Sequence, residues 1–272
     1  MSVFVLQVCK VETQTGMGAM KSKPWLLFVL LLILSYYRAC FSIAGDTLSP
    51  GQSLSGSETI LSPGSNFELG FFKPGTSLKI YLGIWYKRFD RTDIVWVANR
   101  ENPLSDSSSS RLELSKDGNL VLLEGSSNMP VWSTNLTLSR SNSTEAVLGD
   151  DGNFVLRDSS NQNTTIFWES FDHPTDTLLS GAKLGINKVT GKPKQLISWR
   201  NSEDPAAGAF SLGLNPNGSN QIFLEWNRSQ IYWSSGLWNG TSFSLIPEKA
   251  VIFNYTFVSS KNESEIFHLL SL

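Results

Sequence analysis

The chain has 272 residues, of which 17% are charged, with 21 Gly, nine Trp and a formal charge of −2. That length allows one or two domains. The balance excludes a basic nucleic-acid stripe and a like-charged tail, and the Gly-, Ser- and Asn-rich texture favours short strands and turns over long helices.

Lys21, Lys23 and Pro24 precede an apolar run, Trp25 to Leu34, and small residues follow at Ser42 and Ala44. This is the layout of a signal peptide over residues 1–42. The run falls short of the roughly 20 residues that span a bilayer, with a signal anchor as the alternative. Met20 reads as the better start, which makes residues 1–19 an upstream extension. Both cysteines, Cys9 and Cys40, precede the cut, so a mature chain carries no disulfide and no thiolate chemistry. Cleavage also removes four cationic residues and one acidic one, taking the formal charge from −2 to −5. A mildly acidic secreted domain has no electrostatic reason to bind nucleic acid. Eight Asn-x-Ser/Thr sequons follow, at Asn135, Asn142, Asn163, Asn217, Asn227, Asn239, Asn254 and Asn262. Eight behind a signal peptide, and none before it, point to glycosylation in the secretory pathway.

From Asp46 to Phe171 the pattern predicts a succession of short strands. Ile80–Tyr86 and Asp93–Ala98 are rich in β-branched and aromatic residues. Arg111–Ser115 and Asn119–Leu123 flank Asp117-Gly118, a strong hairpin signal. The unit recurs 34 residues on, where Glu145–Gly149 and Asn153–Arg157 flank Asp151-Gly152. A fainter third copy is read at Pro63–Leu69, with Asn66. Trp96, Trp132 and Trp168 are spaced by 36 and 36. Equal spacing of the largest apolar side chain predicts one unit used three times, with one Trp from each meeting at a shared centre. Ser105–Ser110 reads as a loop. From Asp172 onward Pro174, Gly181, Gly185, Gly191, Pro193 and Pro205 punctuate a connecting region. Gln221–Trp226 and Gln230–Trp233 then read as a hairpin around Asn227, and Val251–Val258 with Glu265–Leu270 as a further strand pair.

Several stretches resemble a known family. They are Thr47-Leu48-Ser49-Pro50-Gly51-Gln52, Phe67-Glu68-Leu69-Gly70-Phe71-Phe72, Ile94-Val95-Trp96-Val97-Ala98-Asn99-Arg100 and, most specific, Phe167 through Leu179. These are similar to the extracellular region of plant S-domain (G-type lectin) receptor-like kinases and S-locus glycoproteins. Tyr232 through Gly240 resembles the S-locus glycoprotein region that follows the bulb-type, mannose-binding lectin domain. The resemblance implies an all-β chain: a β-prism with threefold pseudosymmetry over residues 43–172, a connecting region over 173–210, and a second, truncated β-rich S-locus glycoprotein region over 211–272. It further implies recognition at the plant cell surface or in the apoplast, including recognition of pollen. Plasma-membrane attachment is implied if the chain is a fragment of a longer receptor. The implied partners are a protein or peptide ligand or a mannose-type glycan, with homo- or hetero-oligomers of related receptors. Cofactor, metal and kinase chemistry are not expected of these residues.

Bulb-type lectins hold mannose through Gln-x-Asp-x-Asn-x-Val-x-Tyr. Period-two spacing puts the five named side chains on one strand face, where polar groups bond hydroxyls and Val packs on apolar sugar carbons. The first copy keeps Asp117, Asn119 and Val121, with Ser115 and Leu123 at the ends; the second keeps Asp151, Asn153 and Val155, with Gly149 and Arg157. Each lost hydrogen bond to a neutral hydroxyl removes about 0.5–1.5 kcal/mol. Asp-Gly-Asn is equally explained as turn chemistry, with Asp and Asn capping the turn through their own side chains. An enzyme reading is weaker. Only His173 and His268 are available as imidazole bases, no nucleophile elbow, P-loop or zinc-protease motif occurs, and a Glu169/Asp172 glycosidase pair competes with the simpler reading of solvated acids. The expected function is therefore a recognition ectodomain that binds a protein or peptide. The alternatives are an active mannose lectin, a glycoside hydrolase, and a product that folds no further than its first domain.

Overall fold

A computed structural model describes residues 45–88, 93–125, 129–137, 144–160, 165–215, 220–227, 229–246, 253–258 and 265–271, with side chains in the last two stretches for 256–258 alone. The expected signal peptide with Cys9 and Cys40, residues Asp90–Thr92, the side chain of His268 and the sequons at Asn142, Asn163, Asn217 and Asn262 lie outside this set, as does the side chain of Asn254.

Three short strands open the chain: β1 (Thr47–Leu48), β2 (Ser53–Ser55) and β3 (Thr59–Leu61). Three groups of three follow: β4 (Phe67–Phe72), β5 (Tyr81–Tyr86) and β6 (Ile94–Val97); β7 (Arg111–Leu114), β8 (Leu120–Glu124) and β9 (Met129–Ser133); β10 (Thr144–Leu148), β11 (Phe154–Asp158) and β12 (Ile166–Glu169). Each group makes an antiparallel sheet and takes its fourth strand from the opening segment, in the orders β3-β4-β5-β6, β2-β7-β8-β9 and β1-β10-β11-β12. Residues 47–61 therefore pass across all three sheets and tie them together.

The register shows why the unit repeats. Ile60, Leu69, Ile84 and Trp96 stand opposite one another across the first sheet. Leu54, Leu112, Leu122 and Trp132 do so in the second, and Leu48, Ala146, Leu156 and Trp168 in the third. Eleven of these twelve side chains are buried and Trp132 is partly so. A register shift follows at the same place in each sheet, after Ile84, Leu122 and Leu156. Such a bulge bends the strand and increases its twist, which lets a four-stranded sheet wrap a central axis. The indoles of Trp96, Trp132 and Trp168 meet there, edge to face, with centroids 5.7–6.0 Å apart. The expected threefold centre is thus present, and the described residues are all-β apart from one 3-10 turn, Ser170–Asp172.

The fainter copy at Pro63–Leu69 is not the third hairpin. Its Asn66 lies in the β3–β4 turn, one strand too early. Register places the equivalent hairpin at β4–β5, where the connector Lys73–Ile80 has grown and the Asp-Gly-Asn signature is gone. The resemblance of Ser65-Asn66 to the repeat comes from shared turn chemistry, with Ser65 in the left-handed region at φ 56.

The stretch read as a connector carries strands of its own: β13 (Lys183–Ile186), β14 (Pro193–Lys194), β15 (Leu196–Asn201) and β16 (Asp204–Leu214), the last of which runs through the expected boundary at 210. Of its Gly and Pro residues, Gly191 sits in the β13–β14 turn, whereas Gly185, Pro193 and Pro205 lie within strands. The expected hairpins follow as β17 (Ile222–Trp226) with β18 (Gln230–Ser234), and β19 (Phe253–Val258) with β20 (Glu265–Ser271). Two further sheets result, β15-β16-β17-β18 and β14-β13-β20-β19, so β20 pairs with β13, residue Ile186 with Glu265 and Lys183 with His268. A smaller core of Leu184, Ile186, Leu196, Leu214, Ile222 and Phe243 lies here.

Truncating Trp168 to Ala is expected to cost about 3–5 kcal/mol, read as a lower denaturant midpoint at unchanged m value. The same truncation at Leu78, 84% exposed, is expected to stay within about 0.5 kcal/mol.

Candidate carbohydrate site

The two Asp-Gly-Asn hairpins are built alike. Ser115 N–H donates to the Asn119 carbonyl (2.9 Å) and Gly118 N–H to the Ser115 carbonyl (3.0 Å); Gly149, Asn153 and Gly152 repeat this at 2.9 and 3.1 Å. Gly118 and Gly152 take φ of 85 and 84, a conformation that an L side chain resists, which is why glycine recurs there. The carboxylates close the turns. Asp117 Oδ1 accepts from the Asn119 N–H (3.2 Å) and from the Ser115 hydroxyl; Asp151 Oδ1 accepts from the Asn153 N–H (2.9 Å). The Ser115 hydroxyl first, and then the Asn119 N–H, hold the Asp117 carboxyl below its ordinary range.

The two asparagines do something the period-two argument did not anticipate. Both are buried. Asn119 Oδ1 accepts from the Thr134 hydroxyl (2.8 Å) and the Leu136 N–H (2.7 Å), and its Nδ2 donates to the Leu136 carbonyl (3.1 Å). Asn153 Oδ1 accepts from the Ser170 hydroxyl (3.1 Å) and the Phe171 N–H (3.2 Å), and its Nδ2 donates to Glu169 (2.8 Å). Each amide thus latches the segment that leaves the Trp-bearing strand. A related bond closes all three sheets: the N–H of Leu82, Leu120 or Phe154 is met by a side-chain oxygen of Asn99 (2.8 Å), Thr134 (3.2 Å) or Ser170 (2.9 Å). Val121 and Val155 stay half-buried on their strands.

The third equivalent position is covered. Tyr81 stands where Asn119 and Asn153 stand, Gly83 where the valines stand, and Trp85 in place of Leu123 and Arg157, as the shared register dictates. A Cβ on Gly83 would lie 2.6 Å from the Phe72 ring and 2.7 Å from the Trp96 carbonyl, so the absence of a side chain admits that ring. Phe72, Tyr81, Trp85, Ile94 and Val97 form a third cluster against Trp199 of β15, with Phe72 and Trp199 stacked at 6.3 Å. Burial, with the Asp204 carboxylate second, pushes the Tyr81 phenol up to about 12. Polar bonds rim this cluster. The Arg100 guanidinium donates to the carbonyls of Pro205 (2.7 Å), Ile197 (3.1 Å) and Ser198 (3.0 Å), and Glu101 accepts from the Ala207 N–H (2.8 Å). One potential sugar face has become the seat of the β15–β16 hairpin.

The acids considered for glycoside hydrolysis are otherwise engaged, Glu169 by Asn153 and Asp172 by the Lys194 ammonium. His173 stacks on Trp168 (5.3 Å, 14°), while its carbonyl accepts from Trp96 Nε1 (2.9 Å). Burial holds the imidazole below its ordinary range. Beside it lies an open cleft of about 540 Å³, lined by Asp172, Lys183, Asn187, Lys192 and Lys194. Among the described residues no group of His, Cys, Asp and Glu could hold a metal.

Residues 93–200 match the D-mannose binding lectin family. Relatives cover nearly the whole chain: a G-type lectin S-receptor-like serine/threonine-protein kinase of Arabidopsis thaliana is 46% identical over 244 residues, 86% of this chain and 29% of the relative. An S-locus-specific glycoprotein of Brassica oleracea is 45% identical over 247 residues, 89% of this chain and 55% of the relative. The resemblance to S-domain receptors and S-locus glycoproteins stands. The chain spans under a third of that kinase and just over half of that glycoprotein. A monomeric monocot mannose-binding lectin of Gastrodia elata (23% identity, 46% of this chain, 96% of that chain, TM-score 0.34) and the snowdrop agglutinin of Galanthus nivalis (24%, 41%, 87%, 0.30) are similar solved structures. The β-prism is read from the three sheets and their indole centre.

The bonding roles of Arg100, Thr134 and Ser170 were not read from the sequence, although Arg100 and Ser170 lie within the stretches that carry the resemblance. The signal for Thr134 and Ser170 was a hydroxyl two residues after each of Trp132 and Trp168.

Asn119→Ala and Asn153→Ala are each expected to cost about 1–3 kcal/mol of stability, because buried backbone groups lose their partners; urea unfolding reads this directly. His173 sets a pH dependence. Its folded pKa is depressed, so the unfolded chain binds the proton more readily, and stability present above the ordinary histidine pKa is lost as pH falls below it. Between pH 7 and 5.5 the midpoint should fall further for the wild type than for His173→Phe, which keeps the stack and cannot charge.

Proposed function

We propose that this chain is an extracellular recognition module of the S-domain type that reads a protein or peptide ligand through loops on a rigid prism, with mannose binding at Asp117/Asn119/Val121 and Asp151/Asn153/Val155 lost. The observation that supports it most is the engagement of both asparagine amides by the chain's own groups. Each Oδ1 has both lone pairs taken and each Nδ2 one proton used, so a single amide proton is left to a sugar hydroxyl, while Ser115/Leu123 and Gly149/Arg157 no longer supply the outer bonds of the motif. The Ser105–Ser110 loop is a suitable reader. Glu124 accepts from the Ser105 N–H (2.7 Å) and hydroxyl (2.6 Å), and Asp106 from the Ser108 N–H (2.9 Å). Hydrogen bonds to Ser108 hold the Asp106 carboxyl below its usual range. A loop fixed this way loses little entropy on binding. The segment Asn135–Thr144, described only at its ends, is a second candidate. The setting is the apoplast or the plant cell surface, with the plasma membrane if the chain belongs to a longer receptor. Among the described residues no helix is long and apolar enough to cross a membrane.

An active mannose lectin is the second reading. It is favoured by the family match and by the exposed Asp117 and Asp151 carboxylates at the hairpin tips. A glycan array and calorimetry with methyl α-mannoside decide between them. The expected result is no mannose-specific signal and an affinity weaker than about 10 mM. A mannose signal abolished by Asp117→Ala with Asp151→Ala would establish the lectin instead.

A further inference from the structure

Strands β16, β17 and β18 carry an exposed aromatic group outside the hydrophobic cores of the described residues. Trp226 and Phe210 stand directly opposite one another in the β16–β17 register, 43% and 42% exposed. Tyr232, 73% exposed, meets Phe210 edge to face at 6.1 Å. Leaving three aromatic side chains partly in water on three adjacent strands forfeits a share of their burial energy. The turn that follows Trp226 is the sequon Asn227-Arg228-Ser229. Asn227 is exposed and holds φ 50, the left-handed conformation that asparagine tolerates. Its N–H donates to the Ala209 carbonyl (2.7 Å), and the Ser229 N–H to the Trp226 carbonyl (3.3 Å). The turn therefore fixes the backbone of the glycosylation acceptor at the residue next to Trp226.

We propose that Asn227 is N-glycosylated and that the first N-acetylglucosamine of its glycan packs on Trp226, so that the chain's own glycan covers the Phe210–Trp226–Tyr232 surface. In the modification a lipid-linked oligosaccharyl diphosphate is the donor. A bond forms between Asn227 Nδ2 and the anomeric carbon, the bond from that carbon to the diphosphate oxygen breaks, and the displaced amide proton leaves with the diphosphate. The pyranose ring presents an apolar C–H face, which packs on an aromatic ring as apolar sugar carbons do in lectin sites. Tethering makes that contact intramolecular and so cheap in entropy.

Asn239 provides the internal contrast. It too follows a tryptophan, but Trp238 packs inward, 4.9 Å from Phe243 and against the second core. Asn135 follows Thr134, which has no ring. Coupling between glycan and aromatic is therefore specific to Asn227 among the three sequons whose side chains are described.

The test uses the full chain secreted from a eukaryotic host. Glycopeptide mass spectrometry is expected to find Asn227 occupied. Ser229→Ala, which removes the glycan and keeps Asn227, is expected to lower Tm by about 2–4 °C. In a Trp226→Ala background the same change should have under half that effect, while Thr241→Ala, which strips Asn239, should act equally in both backgrounds. Hydroxyl-radical footprinting needs no tryptophan variant: Trp226 should be oxidised several-fold more slowly in the wild type than in Ser229→Ala. An unoccupied Asn227, an equal Tm shift in both backgrounds, or equal oxidation of Trp226 with and without the glycan would overturn the proposal.

Discussion

Three indole rings, edge to face within 6.0 Å of one another, are the constraint on which the rest of the molecule depends. A four-stranded sheet with one apolar face cannot bury that face by itself. Three such sheets can, provided that each brings a large side chain to the common axis at the same height. The rung of four opposed residues in each sheet, ending in Trp, sets that height. The bulge after each rung supplies the twist that brings the next sheet round. Trp96 and His173 then carry the constraint outward, since the Trp96 indole N–H is met by the His173 carbonyl and the His173 ring stacks on Trp168.

With the centre fixed, the three outer hairpins become equivalent places that sequence can spend differently. At two of them the Asp-Gly-Asn turn has been kept and its asparagine amide bound to the chain itself. At the third, Tyr81, Gly83 and Trp85 replace the polar set and receive Trp199, with Arg100 gripping three carbonyls at the rim. Pseudosymmetry in the backbone therefore coexists with asymmetry in use. The same geometry that could present three shallow sugar sites here supplies two sealed turns and one internal seam.

The architecture was legible because it rests on large, evenly spaced signals. The 36-residue spacing of the tryptophans and the 34-residue offset of the Asp-Gly-Asn turns each report one sheet per repeat. A quieter signal went unread: Leu48, Leu54 and Ile60 recur every six residues, the step by which the opening segment passes from one sheet to the next. The third hairpin was misplaced because turn residues recur wherever a chain reverses, so Ser65-Asn66 imitated a signature whose true position had been overwritten. The fate of Asn119 and Asn153 was not legible. Period two correctly puts them in line with Val121 and Val155, but whether an amide faces solvent or a returning strand is decided by residues 15 to 18 positions later. The strands within 173–210 were hidden because residues that usually break strands lie inside them: Gly185 in β13, Pro193 in β14 and Pro205 in β16.

The sealed amides are the claim that function hangs on, and a crystal structure of the secreted chain soaked in methyl α-mannoside examines them most directly. The account predicts Asn119 still bound to Thr134 and Leu136, Asn153 still bound to Glu169, Ser170 and Phe171, and no sugar at either hairpin. Sugar density bridging Asp117 to Asn119, or Asp151 to Asn153, would contradict it.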